Sequence, residues 1–536
     1  MPRKTYYGNE ARAILMKGVN ALADAVKTTL GPKGRNAVIY RGYGAPIVTK
    51  DGVTVAKEIE PENVGERQGA DLVREAALKT NDAVGDGTTT STVLAQAILE
   101  LAMRKLEEEP STDVHALRSS LEARAVEICS KLDASAVKIE NDLEKLTQVA
   151  TISANNDYET GKLIASLMHE VGKEGVVTVD DGPEPGVKVE RVEGLQYAKG
   201  FITAYMMTDA ERQVAELGDP VVIVTDYRVT TAPELVSLIQ PAIESGRKEI
   251  FLICEALEGD ALMTVLRNGS AITPKRNFSL VATTPPGYGD RKKEMLQDIC
   301  ALTGATLISM ELGKKIETVT SDDYGSCARV TLEQDKTTIL GGKGREEDIK
   351  ERINGIKASL KKAESEYDKE KLKERLGKLQ GGIAVIKVGA LTEAQAKEKR
   401  YLIEDAINAV RAAMQEGIVQ GGGLALLRAM RLANPNLIDD IIALTCHAPF
   451  NQIVRNAGED PEEVLCRIIG PGKKTCQGYD AKTGRVVDDM LAAGIVDPVS
   501  VTKSALMNAV SVAGSILTTE TLIIEVPEEK KSTGQA

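Results

Sequence analysis

The sequence predicts a multi-domain protein in which mainly helical regions at both ends of the chain flank an α/β region. Three observations lead to this prediction. The chain has 536 residues, and at the usual ~150 residues per domain this is too long for one small fold. Apolar residues recur at helical spacing near both ends, whereas the middle alternates short β-rich runs with helical segments.

The N-terminal region is predicted to be helical. A first helix is expected from about 11 to 30, because its apolar residues keep helical spacing, and Gly31-Pro32 ends it. Two further helices are expected at about 64–80 and 92–106.

From about 175 to 309 the pattern changes to that of an α/β domain, in which short strands alternate with helices. The predicted strands are 176–179, 221–225, 250–254, 280–283 and 306–309, and the predicted helices are 233–245, 260–268 and 291–303.

A charged stretch over 345–379 follows. Its apolar residues keep helical spacing on both sides of 365–368, which predicts an antiparallel helical hairpin and not a disordered charged run. After a strand at 383–388, helices are expected at 392–416, 424–433 and 437–456.

The helical pattern at both ends favours one base domain built from both termini, with the middle of the chain inserted into it. Gly194 and Gly381-Gly382 lie where the chain would cross between domains. Hinges and ordinary turn glycines are equally consistent with the sequence at these positions.

Composition excludes several classes of function. A formal net charge of −12 with interleaved acids and bases disfavours nucleic-acid binding, and four Phe without any Trp leave few platforms for base stacking. No apolar run approaches the ~18 residues of a membrane span. The first residues lack the apolar core of a secretory signal, so the chain is expected in the cytoplasm.

Seven cysteines without a C-x-x-C pair and three scattered histidines argue against a disulfide framework and a zinc site. Metal chemistry, if present, therefore has to use oxygen ligands.

The polar run over 29–35 contains Gly31 and Gly34, which let backbone amides approach a phosphate closely, and Pro32, which stiffens the loop. Taken alone, the same run is more often a helix stop than a phosphate loop.

The run Asp86-Gly87-Thr88-Thr89-Thr90 directly precedes the third predicted helix. Unpaired amides at a helix N-terminus favour an anion, and threonine hydroxyls can bond phosphate oxygens. By itself this run is also consistent with ordinary helix capping.

A third element strengthens the nucleotide interpretation. Thr49-Lys50-Asp51-Gly52 occupies another predicted turn, and Mg²⁺ commonly takes one or two carboxylates plus phosphate oxygens. We assign Asp86 as the metal ligand and Asp51 as a second acid near the γ-phosphate. Neither a Walker loop nor a protein-kinase signature is present.

These motifs closely resemble those of the group I, or GroEL-type, chaperonins, and the resemblance runs in order to about residue 526. D-G-T-T-T is shared with group II chaperonins, whereas T-K-D-G-V and G-Y-G-D-R indicate group I. The similar segments are 31–35, 49–59, 86–90, 152–155, 287–291, 381–389, 404–406, 421–423 and 497–498.

The resemblance implies an ATP-driven folding machine that encloses unfolded polypeptide clients in stacked seven-membered rings closed by a co-chaperonin lid. ATP and Mg²⁺ are the implied cofactors, with K⁺ as a further candidate. The implied architecture has a mainly helical equatorial domain, a small intermediate hinge domain and an α/β apical domain. Their expected bounds are 1–136 and 416–527, then 137–193 and 383–415, then 194–382, with a flexible tail at 528–536.

The resemblance also implies which residues form the ATP site. Asp405 would orient the attacking water and Asp51 would assist, although Asp405 lies off the apolar stripe of its helix and otherwise fits a solvated surface position. The implied nucleotide-binding residues are Thr29, Leu30, Gly31, Pro32, Lys50, Asp86, Gly87, Thr88, Thr89, Thr90, Gly422, Asp480, Ala481 and Asp497.

Client binding is expected on apolar apical residues, because an exposed apolar rim attracts unfolded chains without requiring a fixed shape. Burial on two sides explains the apolar helix at 233–245 equally well from sequence. The implied client-binding residues are Phe201, Tyr205, Met206, Leu235, Val236, Ile239, Leu262 and Leu266.

The sequence argues against two other functions. A chaperonin paralogue acting as a non-cycling scaffold should have lost Asp51, Asp86 or Asp405, and all three acids are present. A small-molecule phosphotransferase would need an acceptor site, and no motif for one is found in the sequence.

Overall fold

The computed structural model describes residues 3–40, 47–140, 142–172, 175–182, 184–209, 212–269, 278–287, 289–363, 365–381, 383–390, 392–433, 440–470 and 472–525. The predicted tail at 528–536 and Gly382 lie outside the described residues.

The helices, numbered along the chain, are α1 (Gly8–Val26), α2 (Gly52–Glu58), α3 (Val64–Val84), α4 (Thr88–Glu108), α5 (Val114–Ser135), α6 (Leu143–Ser153), α7 (Tyr158–Val171), α8 (Ala232–Glu244), α9 (Gly259–Asn268), α10 (Asp290–Thr303), α11 (Glu346–Lys362), α12 (Glu366–Gly381), α13 (Glu393–Glu416), α14 (Leu424–Ala433), α15 (Ile441–Thr445), α16 (Ala448–Asn456), α17 (Pro461–Ile468) and α18 (Val499–Leu517).

The strands are β1 (Arg3–Tyr7), β2 (Ala37–Ile39), β3 (Ile47–Thr49), β4 (Val176–Asp181), β5 (Gly186–Val192), β6 (Gly194–Tyr197), β7 (Ala215–Gly218), β8 (Val221–Val224), β9 (Arg228–Val229), β10 (Glu249–Ile253), β11 (Ala256–Leu257), β12 (Ser279–Thr283), β13 (Gly325–Leu332), β14 (Thr337–Gly342), β15 (Ile383–Gly389), β16 (Ile418–Gln420), β17 (Gly478–Asp480), β18 (Arg485–Val487), β19 (Val496–Pro498) and β20 (Thr521–Glu525).

The chain forms two compact units. The first comprises Met1–Lys173, Asp181–Val187 and Val388–Ala536, and the second comprises Glu174–Asp180 and Lys188–Lys387. The first unit thus contains both ends of the chain. The division of this unit into equatorial and intermediate domains, and the exact bounds of all three domains, stay predictions.

The first unit is a helical assembly in which α18 packs against α3, α4 and α5. Its core contains large, fully buried aliphatic side chains such as Leu22, Leu94 and Ile128. Near the two ends of the chain, β1 pairs antiparallel with β20. The local sequence sets several helix boundaries, since Asn63 caps the start of α3 and Gly85, in the left-handed conformation, ends it.

The second unit is built around a sheet with strand order β12-β10-β8-β13-β14-β6, to which β7 adds on β13. Its first three strands are parallel, with Ile250 opposite both Val221 and Leu280. Residues of these strands are almost all buried on both faces, as expected for a parallel sheet in an α/β domain. The predicted helical hairpin is present as α11 and α12.

Three predicted elements differ from the structure. The third helix begins at Thr88 and not near 92, because Gly87 adopts the left-handed conformation and starts the helix there. The helix predicted at 437–456 is divided into α15 and α16, since Pro449 in the first turn of α16 lacks an amide hydrogen. The strand predicted at 306–309 is reduced to a single parallel bridge between Ile308 and Thr225.

Gly194 is the first residue of β6, and a Cβ atom there would be 2.6 Å from the backbone oxygen of Ile339. Close strand packing therefore explains this glycine. Among the described helices, none is both long enough and apolar enough to cross a membrane. All seven cysteines are free thiols.

Candidate functional site

One cavity of about 1010 Å³ in the first unit gathers the predicted site. Every residue that the sequence analysis assigned to nucleotide binding, metal binding or catalysis lines it, from Thr29 to Asp497. These residues come from distant parts of the chain, so the folded chain joins motifs that were separate in sequence.

The loop after α1 forms one wall of the cavity. The side-chain amide of Asn456 donates hydrogen bonds to the carbonyls of Lys27 and Leu30, both at 2.9 Å, and so fixes the loop. Gly31 has a φ of +82°, and a Cβ atom there would lie 3.2 Å from Ile453. The loop therefore presents backbone atoms to the cavity in a conformation that favours glycine.

The N-terminus of α4 forms the next wall. Gly87, with a φ of +84°, precedes the helix and supplies no side-chain cap to its first amides. Thr88, Thr89 and Thr90 make up the first turn and line the cavity. Uncapped amides at the positive end of the helix dipole, together with three hydroxyls, form a suitable site for a phosphate group.

Asp51 is the N-cap residue of α2. Its carboxylate accepts hydrogen bonds from the amides of Val53 and Thr54 at 3.1 and 2.8 Å and from the Thr54 hydroxyl at 2.6 Å. The start of α2 abuts that of α4, since a Cβ atom on Gly52 would lie 2.1 Å from Oγ1 of Thr89. The carboxylate of Asp51 is thereby held beside the first turn of α4 in the cavity wall.

Asp86 lies on the cavity wall beside α4. Shielding from bulk water raises the pKa of Asp86, and the negative charge of Asp51 adds to this effect. Two hydrogen bonds oppose it: the amide of Gly87 donates to Oδ1 at 2.5 Å, and the hydroxyl of Ser153 donates to Oδ2 at 3.3 Å.

Asp405 projects into the same cavity from α13. Burial raises the pKa of Asp405 well above its usual value, and the charges of Asp51, Asp86 and Glu404 raise it further. Asp405 is only partly exposed and lines the cavity among other acids, so it is not a fully solvated surface residue.

The remaining predicted residues form another part of the cavity lining. Asp497 lies opposite Val419 in the β16–β19 pair; burial raises the pKa of Asp497 to about 7, the charge of Asp86 adds to this, and the amide of Gly422 opposes it. The carboxylate of Asp480 closes a turn, accepting from the amide of Lys482 at 2.9 Å and from the Thr483 hydroxyl at 2.7 Å. Ala481 lies beside it in the wall.

Sequence reasoning assigned no role to two polar residues at the end of α6. Ser153 donates to Asp86, and Asn155 accepts a hydrogen bond from Nζ of Lys50 at 3.2 Å. Burial lowers the pKa of Lys50. The run Ile152-Ser153-Ala154-Asn155 contributed to the family resemblance, but nothing in its spacing indicates contact with residues so distant in sequence.

The cavity fits a magnesium nucleotide by its chemistry. Amides and hydroxyls suit phosphate oxygens, and Asp86 supplies a carboxylate. No group of three or more His, Cys, Asp or Glu side chains in the described part of the chain is arranged to hold a metal by itself. A cation here would therefore complete its shell with phosphate oxygens and water, as Mg²⁺ commonly does.

The predicted client surface in the second unit needs correction. Met206, Leu235 and Ile239 are buried in the core of this unit and present no apolar surface in this conformation. Tyr205 and Val236 are 59% and 42% exposed. Phe201, Leu262 and Leu266 are partly buried. The helix at 233–245 thus has a buried face with Leu235 and Ile239 and an exposed position at Val236, and client binding there stays a prediction.

Comparisons with known proteins match these findings. Residues 22–527 match the TCP-1/cpn60 chaperonin family. The fold is similar to that of the chaperonin gp146 from the bacteriophage EL 2 (Pseudomonas aeruginosa), crystallised in the presence of ATP-BeFx. Crystal form II of that protein gives a TM-score of 0.70 at 21% identity, over 98% of this chain and 99% of that chain. Crystal form I gives 0.62 at 22% identity with the same coverage.

Proposed function

Because the chain belongs to the TCP-1/cpn60 chaperonin family, and is thus an ATP-dependent folding chaperone, we propose that it binds and hydrolyses Mg-ATP in the cavity described above. The observation that carries this proposal is the convergence of phosphate-binding amides, hydroxyls and the acids Asp51, Asp86 and Asp405 in one cavity.

The triphosphate occupies the wall formed by the loop after α1 and the first turn of α4. Backbone amides near Gly31 and the amides and hydroxyls of Thr88, Thr89 and Thr90 donate to phosphate oxygens. Lys50, which also lines this cavity, adds a positive charge. Gly422, Asp480, Ala481 and Asp497 line the part of the cavity that accommodates the nucleoside.

Asp86 is the protein ligand for Mg²⁺. When bound, the cation supplies positive charge that offsets the phosphate oxygens and the surrounding carboxylates. K⁺ is a second candidate cation for the phosphate end of the site.

Asp405 holds the attacking water. Its carboxylate is shielded from solvent and lies among other acids, so its ionised form is a strong acceptor for a proton of that water. Asp51, fixed by its capping bonds to α2, orients the same water from the other side. Correct placement of the attacking water relative to the terminal phosphate is the main contribution expected from these two residues.

Several further features follow from the family. The chain assembles into rings, for which we propose seven members, stacking of two rings and closure by a co-chaperonin lid. Non-native polypeptides bind the exposed apolar residues of the second unit, with Tyr205 and Val236 as the first candidates. Seven free thiols suit the reducing cytoplasm, which we propose as the site of action.

The test is a comparison of ATP hydrolysis, particle mass and refolding of a denatured client protein. We expect hydrolysis that requires Mg²⁺, a particle several times the chain mass of 57.4 kDa, and refolding that requires ATP. Binding without hydrolysis or ATP-dependent release would indicate a non-cycling scaffold, and phosphorylation of a small molecule would indicate a phosphotransferase; either result would overturn the proposal.

A further inference from the structure

The turn that follows α6 has an unusual backbone. Asn155 and Asn156 have φ values of +54° and +65°, and they are consecutive. Among the described residues only Gln213 and Asp219 are other non-glycine residues with positive φ. Such conformations are unfavourable for residues with a side chain, although asparagine tolerates them better than most.

Backbone hydrogen bonds hold this turn closed. The amide of Asn155 donates to the carbonyl of Ile152 at 3.1 Å, and that of Asn156 donates to Thr151 at 2.8 Å. The turn is therefore held in one conformation, which fixes the positions of the Ser153 and Asn155 side chains.

The side chains of Ser153 and Asn155 contact different parts of the candidate ATP site. Ser153 donates to Oδ2 of Asp86 at 3.3 Å, and Oδ1 of Asn155 accepts from Nζ of Lys50 at 3.2 Å. Ser153, Asn155, Asp86 and Lys50 all line the same cavity. One short turn thus contacts both the proposed metal ligand and the proposed phosphate-binding lysine.

We infer that the 153–156 turn is a positioning element of the ATP site, in which Ser153 orients the metal-binding carboxylate of Asp86 and Asn155 orients the ammonium group of Lys50. This inference rests on the proposed function, because it assigns roles relative to Mg-ATP.

Geometry gives the physical reason for the role of Ser153. Oδ1 of Asp86 is already held by the amide of Gly87. The bond from Ser153 to Oδ2 fixes the other oxygen, and with it the plane of the carboxylate. Partners that fix a ligating carboxylate commonly change metal affinity by about 10- to 100-fold.

The role of Asn155 is to restrict the conformations of the Lys50 side chain. This long side chain carries a point charge with many rotamers, and no carboxylate in the described part of the chain forms an ion pair with it. The amide oxygen of Asn155 restricts these rotamers without neutralising the charge, so the charge stays available to a phosphate.

The experiment is equilibrium binding of ADP to the assembled protein, measured by calorimetry across a Mg²⁺ titration and again in EDTA. This readout does not depend on hydrolysis. Ser153→Ala is expected to lower the apparent Mg²⁺ affinity by about tenfold and to leave ADP binding in EDTA unchanged. Ser153→Thr keeps the hydroxyl and is expected to restore the Mg²⁺ dependence.

Asn155→Gly keeps the left-handed turn at no steric cost but removes the acceptor. We expect it to weaken ADP binding by about three- to tenfold, equally with Mg²⁺ and in EDTA, because Lys50 acts on the phosphates directly. Asn155→Asp retains an acceptor but neutralises the ammonium charge of Lys50 and repels the phosphates, so it should weaken ADP binding at least as much. The matched control is Asn156→Gly, which keeps the left-handed turn and both side-chain contacts and should leave ADP binding and its Mg²⁺ dependence unchanged.

Three outcomes would overturn the inference: Ser153→Ala with wild-type Mg²⁺ dependence, Asn155→Gly with wild-type affinity in EDTA, or Asn156→Gly with the same defects as both. If the unmodified protein binds no ADP under any condition, the proposed function fails first. If the unmodified protein binds ADP and the Ser153 and Asn155 variants bind it equally well, only the positioning role is refuted.

Discussion

The carboxylate of Asp405, on α13, lies close enough to Asp51, the N-cap residue of α2, that the negative charge of Asp51 raises the pKa of Asp405. Only burial raises it more. Each acid is held by its own helix, so the folded chain keeps two like charges together in one shielded cavity. Such an arrangement is typical of a functional site, where an adjacent cation or substrate offsets the repulsion.

The first prediction concerns the catalytic role of Asp405. Asp405→Asn keeps the shape of the side chain but removes the ionised acceptor for water. We expect ATP hydrolysis to slow by about 100-fold or more, with nucleotide affinity within about threefold of the unmodified protein. Single-turnover hydrolysis and equilibrium binding separate the two quantities.

Glu404→Gln is the matched control for this substitution. Glu404 is the neighbouring acid on α13 and forms an ion pair with Arg400 at 3.0 Å. The Glu404→Gln variant should hydrolyse ATP at nearly the normal rate. An equal loss of binding and hydrolysis in Asp405→Asn would contradict the catalytic assignment.

The second prediction concerns pH. Because hydrolysis requires ionised Asp405, its rate should rise with pH through the raised pKa of this group. Asp51→Asn removes the neighbouring negative charge, and this lowers the pKa of Asp405 and moves the acidic limb of the rate profile to lower pH. Asparagine is also a good N-cap residue, so α2 is expected to keep its start.

The size of the shift provides an internal check. Glu404 raises the pKa of Asp405 less than Asp51 does, so Glu404→Gln should move the limb in the same direction by a smaller amount. If the acidic limb of the pH–rate profile does not move in Asp51→Asn, a group other than Asp405 controls the pH dependence of hydrolysis.

The third prediction concerns stability without nucleotide. Asp497 has a pKa of about 7 in the fold against 3.8 for an ordinary aspartate, so the folded state binds more protons between these values. The stabilisation from its neutral form is complete below pH 3.8 and is lost as pH rises through 7, by at most about 4 kcal/mol.

Asp497→Asn removes this dependence. As the pH is raised from about 5 to 8, we expect the midpoint temperature of thermal unfolding of the variant to rise relative to that of the unmodified protein. A difference between the two midpoints that stays constant with pH would argue against a raised pKa of Asp497 in the folded state.

The fourth prediction separates exposed from buried residues on α8. Val236 is 42% exposed and Leu235 is fully buried. Val236→Ser should weaken capture of a denatured client with little change in thermal stability. Leu235→Ala should instead destabilise the second unit by about 2–5 kcal/mol, because it leaves a cavity in the core.

Client capture by light scattering and thermal unfolding give the two readouts. If Val236→Ser captures clients as well as the unmodified protein does, this face of α8 is not a client surface.

Local patterns in the sequence were sufficient for much of the fold. The helical hairpin α11–α12 and the parallel strands β8, β10 and β12 agree with their predicted positions, because periodicity and turn residues determine such elements locally. The position of Thr88 at the start of α4 depends on the left-handed backbone of Gly87, and this conformation was not evident from the run of residues.

The site was predictable where a motif carried the chemistry and not where a tertiary contact did. Asp86 and Thr88 belong to a recognisable run, whereas Ser153 reaches Asp86 only because α6 ends beside α4 in the fold. Burial of Leu235 and exposure of Val236 were likewise undecidable from sequence, since an apolar helix fits both a core and a binding face.

The most direct test of the central claim is a structure of the assembled protein with Mg²⁺ and a non-hydrolysable ATP analogue. We expect the triphosphate at the N-terminus of α4 beside Gly31, the cation on Asp86, and the carboxylate of Asp405 within one water molecule of the terminal phosphate. A nucleotide bound elsewhere, or a terminal phosphate out of reach of Asp405, would contradict the account.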